Sequence, residues 1–350
     1  MSNRPWKIIR DTTREQSESE LNDTLEETLE AKRKEEAKSG KNEKQTDDQM
    51  GRMETYVAEV PRRRLDDLVV NETTVQQLKD MLAKVQYQHV LYDNWNLRKI
   101  DPYGGRTAVN LYGPPGTGKS FTAEAIANYL QKHIIRVNYA EIESKYVGDT
   151  PKNIKAAFAK AAADDAILFF DEADSILGRR MTNVTQSADH GVNVSRSVML
   201  LELDRFEGIT IFATNLASNY DSAFVRRILC HIEMPLPDRD CRLRLWRLHI
   251  PSEMPTQLTD KDFEDLADIS TTLSGGDILN AVVIAATTAV QRTGAEQQVI
   301  FDDLKKATTQ VKKSKDEVGN PNSHVRFSSQ TIPLENAPLE VRQAAEKSSL

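Results

Sequence analysis

One octet, Gly113-Pro-Pro-Gly-Thr-Gly-Lys-Ser120, restricts this chain more than any other feature. It fits the pattern G-x-x-x-x-G-K-[ST] and follows a short apolar run, Ala108 to Tyr112. After it, Phe121, Ala125, Ile126 and Leu130 recur at helical spacing. The motif needs that strand–loop–helix setting. There, glycines let backbone amides close around a β-phosphate, the helix N-terminus favours negative charge, and Lys119 adds a cation. The candidate nucleotide-binding residues are Pro115, Gly116, Thr117, Gly118, Lys119, Ser120 and Phe121, with Ser120 placed to hold Mg²⁺. A second run, Ile167-Leu-Phe-Phe-Asp-Glu-Ala-Asp174, reads as an apolar strand ending in carboxylates. From that strand end Asp171 can reach the metal and Glu172 can polarise a water. The two runs together imply nucleoside triphosphate hydrolysis.

The chain has 350 residues, enough for two or three structural units. No apolar run approaches the ~20 residues of a membrane helix, and Met1 to Asp11 lacks a signal-peptide core. Only Cys230 and Cys241 carry thiols, so disulfide stapling is not expected and a reducing, cytoplasmic setting fits. Their spacing matches no zinc pattern. A net charge of −7 argues against broad nucleic-acid affinity, which leaves a basic footprint.

Residues 1–60 are rich in Glu, Lys, Gln and Ser, a composition that cannot bury enough apolar area to offset ordering entropy. Within them Leu21, Leu25 and Leu29 share one helical face, and Glu30 and Lys34 are spaced as an ion pair. This segment is expected to be disordered or partly helical. Residues 61–238 alternate short apolar strands with helices, which predicts an α/β fold: a parallel sheet sandwiched by helices. The strands are expected at Ala108–Tyr112, Ile134–Asn138, Ile167–Phe170 and Thr210–Ala213. Thr150-Pro151 reads as a capping hydroxyl ahead of a proline in the first helical position. Residues 239–313 contain only helical patterns, predicting a small α-helical subdomain, and residues 314–350 read as a mobile tail.

The order of further motifs is more specific. Ala213-Thr-Asn215, Asp221-Ser-Ala-Phe-Val-Arg-Arg-Ile228, Met234-Pro-Leu-Pro-Asp238 and Leu273-Ser-Gly-Gly-Asp-Ile278 follow the two phosphate-site runs in sequence. The chain thereby resembles the AAA clade of AAA+ ATPases over about residues 65–312. The single-ring remodelling ATPases of the Vps4, katanin and spastin type look nearest. The resemblance implies ATP and Mg²⁺ as cofactors and a small α-helical lid after the ATPase sheet. It also implies a homo-oligomeric ring, hexameric in that family. Asn215 matches the sensor that orients the attacking water, and Arg226 and Arg227 match arginine fingers acting on a neighbour's ATP. Gly275 and Gly276 match the lid residues near the adenine. Tyr146, Val147 and Gly148, within Lys145-Tyr-Val-Gly148, match the pore loop that grips an extended polypeptide, and Gly178–Gly191 falls where a second pore loop lies.

Some positions depart from the family pattern. Ile228-Leu-Cys-His231 replaces the usual Gly-Arg-Phe-Asp after the arginine pair, and Leu65-Asp-Asp-Leu-Val-Val70 lacks the adenine segment's usual glycine. No His-Glu-x-x-His follows, which excludes a fused zinc peptidase. The function the resemblance implies is a motor that threads protein clients through its pore, with residues 1–60 recruiting a client or adaptor. The alternatives are a nucleic-acid loader or remodeller, which predicts a basic pore or an added DNA-binding domain; a non-hydrolysing scaffold, which intact Glu172, Asn215, Arg226 and Arg227 argue against; and a ring regulating a metabolic enzyme.

Overall fold

The computed structural model describes residues 48–102, 104–139, 142, 149–178, 187–215 and 220–319. They divide into two compact units, one ending at Pro235 and one beginning at Leu236. Residues 1–47 with the Leu21/Leu25/Leu29 face, the pore-loop residues Tyr146, Val147 and Gly148, most of Gly178–Gly191, and residues 320–350 lie outside the described residues.

The first unit contains, in chain order, β1 (Ala58–Glu59), α1 (Glu72–Gln86), β2 (Thr107–Tyr112), α2 (Lys119–Tyr129), β3 (Ile134–Asn138), α3 (Thr150–Ala163) and β4 (Ile167–Asp171). It continues with α4 (Asp174–Leu177), α5 (Ser187–Arg205), β5 (Ile209–Thr214), α6 (Ser222–Val225) and β6 (Cys230–Glu233). The six strands form one sheet in the order β1-β3-β4-β5-β2-β6. All neighbouring pairs are parallel except β1 with β3. β4 and β5 read as continuous apolar runs because helices cover the sheet on both sides. Strand alternation sends Val109, Leu111, Phe169 and Ile211 toward Leu78 and Met81 of α1 and Ile126 of α2. It sends Ala108, Phe170 and Phe212 toward Ile154 and Phe158 of α3 and Met199 and Leu203 of α5. The Phe170 and Phe212 rings stack 5.4 Å apart and are fully buried. Truncating either to alanine costs about 3–5 kcal/mol, because the site cannot collapse around the void.

β1 and β6 were not legible as strands. β1 has two residues, and β6 carries one fully buried apolar side chain, Ile232, since an edge strand needs less of an apolar run. The expected Thr150 cap is not made. The helix begins at Thr150 itself, Asp149 occupies the cap position without a side-chain hydrogen bond, and Thr150 is buried. Pro151 is tolerated there because amides of the first turn have no intrahelical acceptor. Residues 48–60 also pack on this unit: Tyr56 donates its hydroxyl to Asn153 O at 3.1 Å, and Arg52 Nη1 donates to Asn153 Oδ1 at 2.7 Å.

The second unit has, among the described residues, α7 (Arg239–His249), α8 (Asp260–Ile269), α9 (Gly275–Ala289) and α10 (Phe301–Gly319). Its helix starts are well encoded. Asp238 accepts from the Cys241 amide at 2.8 Å, and Thr259/Asp262 and Ser274/Asp277 form reciprocal capping boxes. Buried Trp246 donates its Nε1 to Ser270 Oγ at 3.0 Å. α10 runs on to Gly319, helped by Lys315 Nζ donating to Asp277 Oδ2 at 2.7 Å. Cys230 and Cys241 are free, and burial pushes both thiols up to about 11, so neither is a reactive thiolate. Among the described residues, no helix is long and apolar enough to cross a membrane.

Candidate active site

Three parallel strands bring the site together. β5 lies between β2 and β4, so the loop after β2, the carboxylate ending β4 and the residue after β5 emerge along one edge of the sheet. Such carboxyl ends are where open α/β sheets bind ligands.

The loop after β2 is shaped by glycine. Gly113 has φ +146°, and a Cβ there would lie 2.2 Å from the Met234 carbonyl oxygen, so no other residue fits. Gly118, at φ +95°, occupies the cap of α2 in a left-handed conformation. It turns the chain directly into the helix whose first amides face the loop. Pro115 and Gly116 are exposed, and Thr117 folds its hydroxyl onto Pro114 O at 2.9 Å. Lys119 is buried and donates to Gly113 O and Pro114 O, both at 2.8 Å. Burial holds its ammonium below the usual lysine range, and Asp171 and Asp174 pull it back up. Phe121, in the first turn of α2, has the Arg63 guanidinium 5.2 Å from its ring centre.

Ser120 Oγ donates to Asp171 Oδ2 at 2.8 Å, which joins the loop to the end of β4. The other carboxylate oxygen accepts from the Glu172 amide at 3.0 Å. Glu172 itself is left-handed, φ +52°, and exposed. That conformation costs a non-glycine residue about 1–2 kcal/mol, and strain of this kind gathers at functional positions. It turns the Glu172 side chain off the strand axis, away from the core.

The sequence pattern alone does not reveal the part played by Asp174, the acid three residues after Asp171. Its Oδ1 accepts from the Thr214 hydroxyl and, at 3.0 Å, from the Asn215 amide. The acid after β4 thereby fixes the backbone from which the exposed Asn215 projects. Past Asn215, Asp221 caps α6 by accepting from the Ala223 amide at 2.8 Å, and fully buried Phe224 anchors that short helix. Arg226 and Arg227 follow at its end. Arg226 is exposed and donates Nε to Ser222 O at 3.3 Å. Arg227 instead reaches Asp204 at the end of α5, donating Nη2 to Oδ2 at 2.8 Å. Neither arginine is among the side chains meeting the Lys119–Asp171 centre of its own chain. Gly276 lies in the first turn of α9, in the second unit.

The donor set suits a hard cation. A serine hydroxyl and a carboxylate are oxygen ligands, as Mg²⁺ requires. Among the described residues no cage of three or more His, Cys, Asp or Glu exists, so remaining ligands would come from phosphates and water.

The glycine-shaped loop between strand and helix, the strand-end carboxylate and the sheet order define a P-loop nucleotide hydrolase fold. Residues 109–236 match the family model described as "ATPase family associated with various cellular activities (AAA)", and over this stretch the chain is similar to AAA ATPase domains. Among similar proteins, the proteasome-activating nucleotidase of Methanopyrus kandleri is 31% identical over 268 residues, covering 75% of this chain and 59% of that protein. The 26S proteasome subunit RPT4 of Saccharomyces cerevisiae is 33% identical over 210 residues, covering 58% and 47%. The cell division cycle protein 48 homolog of Archaeoglobus fulgidus is 32% identical over 234 residues, covering 65% and 30%. The chain thus spans from 30% to 59% of the length of these relatives. A crystal structure of the FIGL-1 AAA domain superposes with a TM-score of 0.58 at 19% identity, covering 75% of this chain and 88% of that one, which establishes likeness of fold.

Proposed function

We propose that the chain is an ATP-hydrolysing ring motor that remodels, unfolds or disassembles protein clients by threading them through a central pore. The observation that carries the hydrolytic part is the Ser120–Asp171 hydrogen bond beside the left-handed Glu172. It supports reading Ser120 and Asp171 as a metal-binding pair and Glu172 as the base, all at one strand end beside the glycine-shaped loop.

In this reading Gly116, Thr117, Gly118 and Lys119 surround the phosphates, and Pro115, Phe121 and Gly276 contribute to nucleotide binding. Ser120 and Asp171 would hold Mg²⁺, which would supply positive charge to the phosphate oxygens. Glu172 orients and deprotonates water, and Asn215, held by Asp174, fixes that water against the γ-phosphate. Arg226 and Arg227 complete the site of the adjacent subunit, so turnover requires a ring, hexameric by resemblance. Tyr146, Val147 and Gly148 grip the client. The names of the relatives, a proteasome-activating nucleotidase and a proteasome subunit, support a protein client and a cytoplasmic setting.

The test is the mass of the Glu172→Gln protein with ATP and with ADP, paired with unfolding of a fluorescent protein bearing an unstructured tail by the wild type. The expected result is an ATP-dependent ring and ATP-dependent loss of fluorescence. A chain that stays monomeric with ATP and leaves the reporter folded refutes the motor.

A further inference from the structure

The two arginines after α6 are adjacent in sequence but sit in different surroundings. Arg227 donates Nε to both Asp204 oxygens at 3.0 Å and Nη2 to Oδ2 at 2.8 Å, while its Nη1 reaches the Ala223 carbonyl at 3.1 Å. Arg106, just ahead of β2, donates Nη1 to Asp204 Oδ1 at 2.7 Å. One carboxylate thus ties the end of α5, the start of β2 and the end of α6. Arg226 points elsewhere. Among the described residues its partner is the Ser222 carbonyl, so its two terminal nitrogens stay available. With Leu201 and Arg205, these residues line an open cavity of about 700 Å³ that holds four guanidiniums and one carboxylate. That excess of positive charge suits an incoming phosphate chain.

We propose that Arg226 is the arginine that meets the neighbouring subunit's γ-phosphate, and that Asp204 is a positioning residue. Asp204 holds Arg227 as a cis anchor, so that the end of α6 presents Arg226 at a fixed angle. This rests on the trans-arginine reading above and divides its two residues between two tasks. The physical basis is the difference in partners. Arg227 already spends its planar fork on a carboxylate, with geometry that a guanidinium matches and an ammonium does not. Moving it onto a phosphate would break three hydrogen bonds to Asp204. Arg226 gives up at most one, its long 3.3 Å bond to the Ser222 carbonyl.

The experiment uses the full chain at concentrations that saturate assembly. It measures kcat and KM for ATP in Arg226→Gln, Arg227→Gln, Asp204→Asn, the Arg227→Gln/Asp204→Asn double variant and Asp204→Glu, with melting temperature alongside. Arg226→Gln is expected to lower kcat by about 10³-fold with little change in KM. Arg227→Gln and Asp204→Asn should each lower kcat by roughly tenfold, the double variant no further than either single, because both remove the same contact. Asp204→Glu, which keeps the charge, should recover most of the turnover. Arg227→Gln falling as far as Arg226→Gln while Asp204→Asn matches the parent overturns the proposal and puts Arg227 on the phosphate. Losses that multiply in the double variant, or that track melting temperature across the series, overturn it too. If instead Arg226→Gln and Arg227→Gln both keep parental kcat, the trans-arginine reading itself fails.

Discussion

Ser120 and Asp171 are 51 positions apart, yet the serine hydroxyl lies 2.8 Å from the aspartate oxygen across the edge of the sheet. This contact makes two separate motifs into one centre, and it sets the first expectation. Ser120→Ala and Asp171→Asn should each raise the Mg²⁺ concentration needed for half-maximal hydrolysis by tenfold or more, roughly the cost of losing a metal ligand or its support. A Mg²⁺ titration of steady-state turnover reads this directly. Unchanged Mg²⁺ dependence in both variants would remove the pair from the metal.

Glu172→Gln should bind ATP with parental affinity and lose hydrolysis by about 10²–10⁴-fold, the usual contribution of a positioned base. The amide keeps the size of the side chain and its left-handed backbone, so binding and chemistry separate. Equilibrium binding of a fluorescent ATP analogue and phosphate release, measured on one preparation, give the comparison.

Hydrolysis should depend on assembly. Specific activity should rise with protein concentration, because the exposed Arg226 does not meet the centre of its own chain. Mixing Arg226→Gln subunits with Glu172→Gln subunits should restore part of the turnover, at interfaces pairing an intact base with an intact arginine. Concentration-independent turnover by a monomer contradicts the trans assignment.

Tyr146→Ala should keep ATP affinity and near-parental hydrolysis while abolishing unfolding of a tailed fluorescent reporter. Tyr146 is neither in the phosphate loop nor at the end of β4 in the sequence. Should hydrolysis and unfolding fall together, Tyr146 serves folding or assembly. If both persist, the pore-loop match carries no function.

The second unit should show its own acid sensitivity. Arg292 donates to both oxygens of buried Asp303, which also accepts from the Ile300 amide at 3.1 Å. The Arg292 contact holds the Asp303 carboxyl below the usual carboxylate range. A lowered folded value means the pairing stabilises the fold fully above the usual aspartate range, and is lost as pH falls through the lowered value. Asp303→Asn should cost about 1–3 kcal/mol at neutral pH and flatten the acid side of the stability profile. Urea melts followed by tryptophan fluorescence from pH 3 to pH 7 would check both.

Much of this was legible in the chain. The octet 113–120 and the run 167–174 could be read because a glycine-shaped loop and a buried strand are written in contiguous residues. Left-handed glycines, a helix start and an unbroken apolar run need no partner elsewhere to be recognised. The four central strands and the helical second unit followed from the same local patterning.

Tertiary structure alone decided the rest. Asp174 serves Asn215, 41 positions on, because β4 and β5 are neighbours in the sheet. Asp204 binds Arg106 and Arg227 because β2 starts near the end of α5, a proximity that only the sheet order creates. β6 became a strand because β2 offered it an open edge, and Thr150 was drawn into the core rather than left to cap its helix. Backbone conformation and apolar periodicity depend on near neighbours, so the sequence determined the glycine-shaped loop, the strand-end carboxylates and the class of fold. Pairings of charged and polar side chains depend on which distant elements lie side by side, and only the folded chain settles that.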